Sequence, residues 1–559
     1  MARSLPQCVD TVIIGNGPSA LILSYILHGH IPYYVGGHHD SILDAKLENT
    51  PNLLHLTPDL YAHFLSSLRY STQALPVNTL LDTLIRPNAD TELNPKSCIE
   101  WRYEPEKAVP HVAIGIAAHA GGQWAENPVS ASSDIGTLSY AEQLSLPGYC
   151  YADHLARNGR EDETEFVRPS RTEVADYLRA YPDAVGIADS VYTGLRVEDV
   201  YRTVNGFNIA SLRLWCKHLV LASGIFTVNI PPPPLLAPIA QLNSQEAPLL
   251  VIGSGFSAAD VIISLPPSRR IIHIFQWAPE KRPSPLRGCH HTAYPEYATV
   301  YRQMKLAALA SSRTTRAVKS PMARRKSNAT FQQRDWSLYE GLPGAEVVSV
   351  SESEEIATVA LRLPSGETIT REVGGLAYVV GRRGTLDFLS PNLRSEILST
   401  PDSINLDATP SHLISGRTLR AKVEATSLEV AKNVFITGSL TGDSLIRHAV
   451  GGCVFAAGRI LGAIPTTYSP DSTPSPTSST PRSVSPVSTS DTEATFDGTN
   501  YSLHEPRPGQ RTPGELTNGH ADLHLDRRKL MRAVEVAHVE NRYWVDSGWW
   551  AGGLGPGRL

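Results

Sequence analysis

The chain has 559 residues, 41% hydrophobic and 19% charged, with 42 Pro and 41 Gly, a composition that can bury a sizeable core and excludes a fibrous or wholly disordered protein. At roughly 150 residues per domain this length suggests about three to four domains. Fifty basic groups against 55 acidic ones leave a net charge of -5, and no basic stripe is present to neutralise a run of phosphates, which excludes nucleic acid as an expected partner.

The N-terminal segment meets Asp10 before its apolar run begins, a poor secretory signal. No stretch approaches the roughly 18 unbroken apolar residues of a spanning helix. The expectation is a cytoplasmic protein with no transmembrane segment. The run from Thr11 to Ile14 is β-branched and breaks into Gly15-Asn-Gly17-Pro18-Ser19-Ala20 before a helix-like segment, Leu21 to Leu27. In a strand-turn-helix crossing, Gly15 permits the tight turn, Gly17 lets the backbone approach a pyrophosphate, and Ala20 keeps helix and strand close. No acid ends the next strand, Pro32 to Val35, so a ribose contact would fall to Asp40.

After a strand-like run from Val109 to Ile116 comes Gly121-Gly122-Gln123-Trp124. It reads either as a surface turn or as a place where a flat cofactor meets bare backbone and an indole. Ser170 and Glu173 form a capping box for a helix to about Tyr181. Strands are expected over 191–200, 203–209 and 212–222, with Asn205-Gly206 as a turn.

The crossing then repeats. Leu249 to Ile252 leads into Gly253-Ser254-Gly255-Phe-Ser257-Ala258-Ala259-Asp260, and the next strand, Ile271 to Phe275, ends in Gln276-Trp277 instead of an acid. With Arg269, Arg270, Lys281 and Arg282 close in sequence, a 2'-phosphate fits better than a 2'-hydroxyl, favouring NADPH over NADH; the alternative is a solvated cationic face. His290 and His291 read as loop residues. Gly438-Ser-Leu-Thr-Gly442-Asp443 precedes a helix expected over 444–461, where Asp443 is either a plain N-cap or a hydroxyl ligand. Beyond 463 about four in five residues over 465–490 are Ser, Thr or Pro, the mark of a disordered linker with Ser-Pro sites. A terminal amphipathic helix over 526–543 and the tryptophans Trp544, Trp549 and Trp550 could serve a protein partner.

Taken in order, these motifs, with Leu146-Pro-Gly148, Leu221-Ala-Ser-Gly224, Tyr294-Pro-Glu-Tyr297 and Gly442-Asp443-Ser-Leu-Ile-Arg447, resemble the oxidative-stress-induced growth inhibitor family. That family is a branch of the flavin-containing and N-hydroxylating monooxygenase-like flavoproteins. The resemblance covers roughly residues 8–461. It implies an α/β fold with two Rossmann-type dinucleotide-binding domains, the FAD domain split in sequence and the NADPH domain inserted. The FAD domain would span 8–225, with an insertion at 40–106, and 386–463; the NAD(P)H domain would span 226–385. A linker at 464–522 and an end segment at 523–559 would follow. By the same resemblance Gly15, Gly17, Pro18, Ser19, Ala20, Gly121, Gly122, Trp124, Gly442 and Asp443 would hold FAD, and Gly253, Ser254, Gly255, Ser257 and Ala258 would hold NADPH.

Two departures stand out. The Gly121-Gly122-Gln-Trp124 segment lies about 85 residues past Gly36, and the F-x-G-x-x-x-H-x-x-x-[FY] fingerprint of ordinary flavin-containing monooxygenases is absent. The expected activity is an FAD-dependent, NADPH-using monooxygenase or oxidoreductase acting on a small molecule, with the hard chemistry carried by the cofactors and no catalytic side chain assigned. The alternatives are a flavin oxidase or dehydrogenase reduced directly by its substrate, and a regulatory flavoprotein with little turnover. The six cysteines lack any C-x-x-C spacing, so a dithiol reductase is not expected, nor a disulfide framework or zinc site.

Overall fold

A computed structural model describes residues 4–66, 74–87, 96–160, 167–312, 334–353, 355–398, 413–420, 423 and 427–462. The tail expectations, from linker to terminal helix, lie outside these residues.

The β-branched run at the N-terminus forms the strand Cys8–Ile14. It is flanked on both sides by parallel strands, His111–Ile114 and Leu214–Leu221. Because helices cover both faces, the strand is apolar without alternation: Ile13 faces one hydrophobic cluster with Ala20, Leu23 and Leu27, while Val12 and Ile14 face another with Leu219 and Leu221. Val434–Ile436 extends the sheet beside Leu214–Leu221, and Val191–Tyr192 beside His111–Ile114. A second parallel sheet runs Tyr339–Pro343, Ile271–Phe275, Leu249–Ile252, Gly375–Tyr378. An antiparallel meander, Glu346–Glu352, Ala357–Arg362 and Thr368–Val373, adjoins it in sequence. The two strand-glycine-helix crossings thus sit among the parallel strands of two separate sheets, the first of which also carries antiparallel strands at Glu429–Ala431, Phe207–Ile209 and Val200–Arg202, which is the two-domain α/β architecture expected.

Local expectations were met where capping or turn chemistry fixed them. Ser170 and Glu173 cap the helix Arg171–Ala184 reciprocally, and Thr203 N donates to Gly206 O across the hairpin turn. Others shift. The region 191–200 is strand only at Val191–Tyr192 and Val200–Arg202. The last helix is Ala449–Ile460, preceded by a 3-10 turn at Ile446–His448, since its first turn is used to seat Arg447.

The described residues of the 40–106 region pack on the first sheet's helices. The helix Pro76–Ile85 packs on Ala449–Ile460 so closely that a Cβ on Gly451 would collide with the backbone of Val77 and Asn78. Asn78 Oδ1 accepts the amide of Gly452 at 2.8 Å. Asp82 is clamped by Arg447, with Nε 2.9 Å from each oxygen and Nη2 2.5 Å from Oδ2, and Arg86 lies 3.3 Å away. Burial opposes ionisation of Asp82, but Arg447, His448 and Arg86 outweigh it and hold the carboxyl down at about 2.

Candidate functional site

At the first crossing the helix Pro18–Leu27 begins directly after Gly17, with no side-chain cap, so its leading amides and the positive end of its dipole are left for an anion. Gly15 has φ +135°, and a Cβ there would collide with the Ala222 carbonyl. Three segments distant in sequence return to this turn. Gly121 N donates to Asn16 O at 2.8 Å, and Gly122 sits so that its own Cβ would lie 3.0 Å from Gly17 Cα. Gly438 faces Ser19 with no room for a side chain, and Cys453 Sγ donates to Ser19 O at 3.2 Å. Asn16 holds the loop ahead of Gly121 by donating to Ala117 O and His119 O. Trp124 packs partly buried against the first core.

The structure therefore brings Gly15, Gly17, Pro18, Ser19 and Ala20 together with Gly121 and Gly122, at the C-terminal ends of the first sheet's strands. Three buried polar atoms on the surrounding segments, Gln123 Oε1, Ser223 Oγ and Thr437 Oγ1, have no protein partner. Orphaned acceptors and donors of this kind ask for a polar ligand.

Asp443 stands differently from its reading as a free hydroxyl ligand. Oδ2 accepts from Leu75 N at 2.8 Å and from Asn78 Nδ2 at 2.6 Å, and Oδ1 accepts from Arg420 at 2.8 Å. It joins the segment ahead of the last helix to the 40–106 region. Gly442, with φ +93°, packs on Gly416. Asp40, the expected ribose contact, is engaged by protein groups: its Oδ1 caps the helix Ser41–Glu48 and its Oδ2 meets His63 at 2.9 Å.

At the second crossing the helix Phe256–Ser264 follows Gly255, again without a side-chain cap. A Cβ on Gly253 would lie 2.5 Å from Val379 O and 3.3 Å from the Ala258 methyl. Ser254 is used by its neighbours: its Oγ accepts Gln276 N at 3.0 Å and its carbonyl accepts Ser284 Oγ at 2.6 Å. Ser257 lies half-buried in the first turn of the helix. Lys281 and Arg282 lie just past the C-terminal end of Ile271–Phe275, on the side of the glycine turn. Arg269 and Arg270 precede that strand, at its opposite end, and Arg269 is spent on Ser244 O and Gln245 Oε1; a five-residue strand of roughly 16 Å separates the two pairs. His290 and His291 stack in a loop, His290 accepting Thr292 N.

Two histidines that pattern reading did not single out are buried beside the crossings, His273 at the second glycine turn and His111 against Ser24 of the first helix. His273 Nε2 donates to Gly253 O at 2.7 Å and Nδ1 accepts from Tyr339 OH at 2.8 Å. His111 Nδ1 donates to Val109 O, and Nε2 accepts from Ser24 Oγ on the first helix. Burial lowers both to about 4, so both are neutral at physiological pH. A period-2 apolar pattern hides such residues, because a neutral imidazole replaces an apolar side chain in a strand.

Among the described residues no group of His, Cys, Asp and Glu could hold a metal, and no helix is long and apolar enough to cross a membrane. No protein-family model matches the chain. Among solved structures it is similar to a flavin-containing monooxygenase from Stenotrophomonas maltophilia (14% identity, TM-score 0.42, 82% of this chain and 98% of that one). It is also similar to an ornithine hydroxylase from Pseudomonas aeruginosa (12% identity, TM-score 0.45, 82% and 99%). By sequence it is 25% identical to oxidative stress-induced growth inhibitor 1 of Mus musculus over 510 residues, 82% of this chain and 97% of the relative, and 25% identical to the Homo sapiens protein of that name over 508 residues. The resemblance carried by the ordered motifs therefore extends over most of the chain, and the relatives it is similar to are the oxidative stress-induced growth inhibitors.

Proposed function

We propose that the chain is an FAD-dependent oxidoreductase that takes hydride from NADPH and monooxygenates a small molecule. The observation that carries this reading is the enclosure of the first glycine turn: bare backbone at Gly17 and Gly122, an uncapped helix N-terminus, and three orphaned polar atoms on the adjoining segments. These features suit a tightly held dinucleotide with its pyrophosphate at the helix. The second turn, open on the side of Lys281 and Arg282, suits an exchangeable one with a 2'-phosphate.

In this reading bound FAD supplies hydride acceptance and oxygen chemistry. The protein binds, orients and excludes water. Gly15, Gly17 and the helix Pro18–Leu27 seat the pyrophosphate, while Gly121 to Trp124 and Thr437-Gly438 border the rest of the ligand. Gly253, Gly255, Ser257 and Ala258 seat the second pyrophosphate, with His273 fixing the carbonyl of Gly253. Cys453, whose thiol meets the first turn's helix, is buried and donates to Ser19 O. Burial pushes its ionisation far up, so it is unsuited to thiolate chemistry.

The test is to purify the full chain and follow its absorbance on anaerobic addition of NADPH, then oxygen consumption with candidate substrates. The expected result is a yellow protein bleached by NADPH. A yellow protein that NADPH never bleaches would overturn this reading in favour of a flavoprotein reduced by its own substrate.

A further inference from the structure

In a nucleotide-binding crossing the strand beside the glycine strand, reached after the helix, carries at its C-terminal end the acid that holds the ribose. By chain order that strand is Pro32 to Val35. The structure instead sets His30–Tyr34 in a separate two-stranded sheet, antiparallel to Ile99–Tyr103. The neighbour of Cys8–Ile14 that first follows its helix is His111–Ile114, with Ile14 paired to Ile114. Gly15 N donates to Ile114 O at 2.7 Å, which sets Gly115 level with the glycine turn. Glycine thus stands where a carboxylate ordinarily meets the ribose.

The space beside it is filled by Asn16. A Cβ on Gly115 would lie 2.2 Å from Asn16 Cγ, 2.3 Å from its Oδ1 and 2.6 Å from its Cβ, so residue 115 has no room for a side chain while Asn16 is present. Asn16 is 3% exposed. Its Nδ2 donates to Ala117 O at 3.0 Å and to His119 O at 3.2 Å. Two carbonyls need a donor facing them, which fixes the orientation of the amide. Oδ1 is the remaining atom, and among the described residues it accepts no hydrogen bond. The backbone around it is already committed: Asn16 O accepts Gly121 N at 2.8 Å, and Gly115 N donates to Tyr192 O at 3.0 Å. A buried amide oxygen without a donor is costly until a ligand or water supplies one.

We propose that Asn16 Oδ1 takes the place of the carboxylate at the first crossing and accepts the 2'-hydroxyl of the adenosine ribose of FAD. The missing acid is then replaced from the glycine turn itself, by a neutral acceptor that the Ala117 and His119 carbonyls hold in position. This rests on the reading of the first turn as the flavin site.

The test uses the full-length protein stripped of its flavin. FAD and the FAD analogue that carries 2'-deoxyadenosine are titrated into the parent, Asn16→Gly and the double variant Asn16→Gly/Gly115→Glu, with flavin fluorescence as the readout. Loss of the hydroxyl should weaken binding to the parent about five- to tenfold. Asn16→Gly should bind both flavins more weakly, because the loop loses its two donors, and to within about twofold of each other. The double variant returns a carboxylate to the strand end and should restore a preference of about tenfold or more. A purely structural asparagine would change affinity and leave the ribose preference alone. A parent that binds both flavins equally would therefore overturn the proposal, as would an Asn16→Gly protein that keeps the parent's preference. If neither variant binds flavin, the crystal structure of the flavin-loaded parent decides. The 2'-oxygen is expected about 3 Å from Asn16 Oδ1, and a 2'-oxygen held by another group would overturn the assignment. A parent that rebinds neither flavin would overturn the flavin reading and this assignment together. One that shows the ribose preference but is never bleached by NADPH would fail only the hydride-donor reading and keep Asn16 in this role.

Discussion

The first glycine turn is met by Gly121-Gly122, by Gly438 and by Cys453, all from more than 100 residues away, while the 40–106 region braces the segments that deliver Gly438. The second is met by Val379 and by the nearby Ser284-Pro285 segment, and its helix lies against Tyr297. Both helices start uncapped after a glycine, and each unit holds a buried neutral histidine. The local design is thus the same in both. Enclosure differs, and on the function proposed above it would decide whether a bound nucleotide stays through purification or exchanges.

The sharpest way to break this comparison is to fill the two turns in turn. Gly15→Val sets a branched side chain against the Ala222 carbonyl at φ +135°, and the expected outcome is complete loss of retained flavin, read from the absorbance of the purified protein. Gly253→Val meets Val379 O and should leave the protein yellow while abolishing bleaching by NADPH. A fully yellow Gly15→Val protein would place the resident nucleotide elsewhere.

Next in size is the brace of the first unit. Asp82→Asn removes the buried carboxylate that Arg447 and Arg86 contact, and removing one partner of such a cluster costs about 3–5 kcal/mol. Denaturant unfolding should show that loss; a change under about 1 kcal/mol would mean that the 40–106 region does not support the first unit.

The paired histidines predict a shared acid response. Each is lowered from about 6.5 to about 4 by burial, so between these values the unfolded chain binds more protons than the folded one. The stabilising contribution is complete above about pH 6.5 and declines as pH falls toward 4. It is worth up to about 3 kcal/mol per histidine at about 1.4 kcal/mol per pH unit. Thermal midpoints measured from pH 7.5 to 4.5 should fall progressively, and a flat profile would contradict neutral burial.

The smallest expected effects compare the hydrogen bonds of one side chain in each unit. Asn78→Ala removes buried contacts to Asp443 and Gly452 and should cost about 2 kcal/mol, whereas Ser284→Ala, which frees the Ser254 carbonyl and the Leu286 amide at a less buried place, should cost about 1 kcal/mol. Equal costs would argue that the two turns are braced alike.

Where a short stretch of chain carries its own physics, the sequence sufficed. Gly15-x-Gly17 after a β-branched run, its repeat at Gly253-x-Gly255, the Ser170 and Glu173 capping box and the Asn205-Gly206 turn each satisfy their geometry within a few residues, so both crossings and the α/β class could be read directly. Tertiary structure alone decided the rest, because the partners lie far apart in sequence and follow no spacing rule. Asp443 is tied to Asn78 and Arg420, Asp82 to Arg447, and Asp40 to His63, each a polar group whose partner is chosen by burial once the sheets have formed. Strand direction likewise separated the cations: Arg269 and Lys281 are close in sequence, but they lie at opposite ends of one strand.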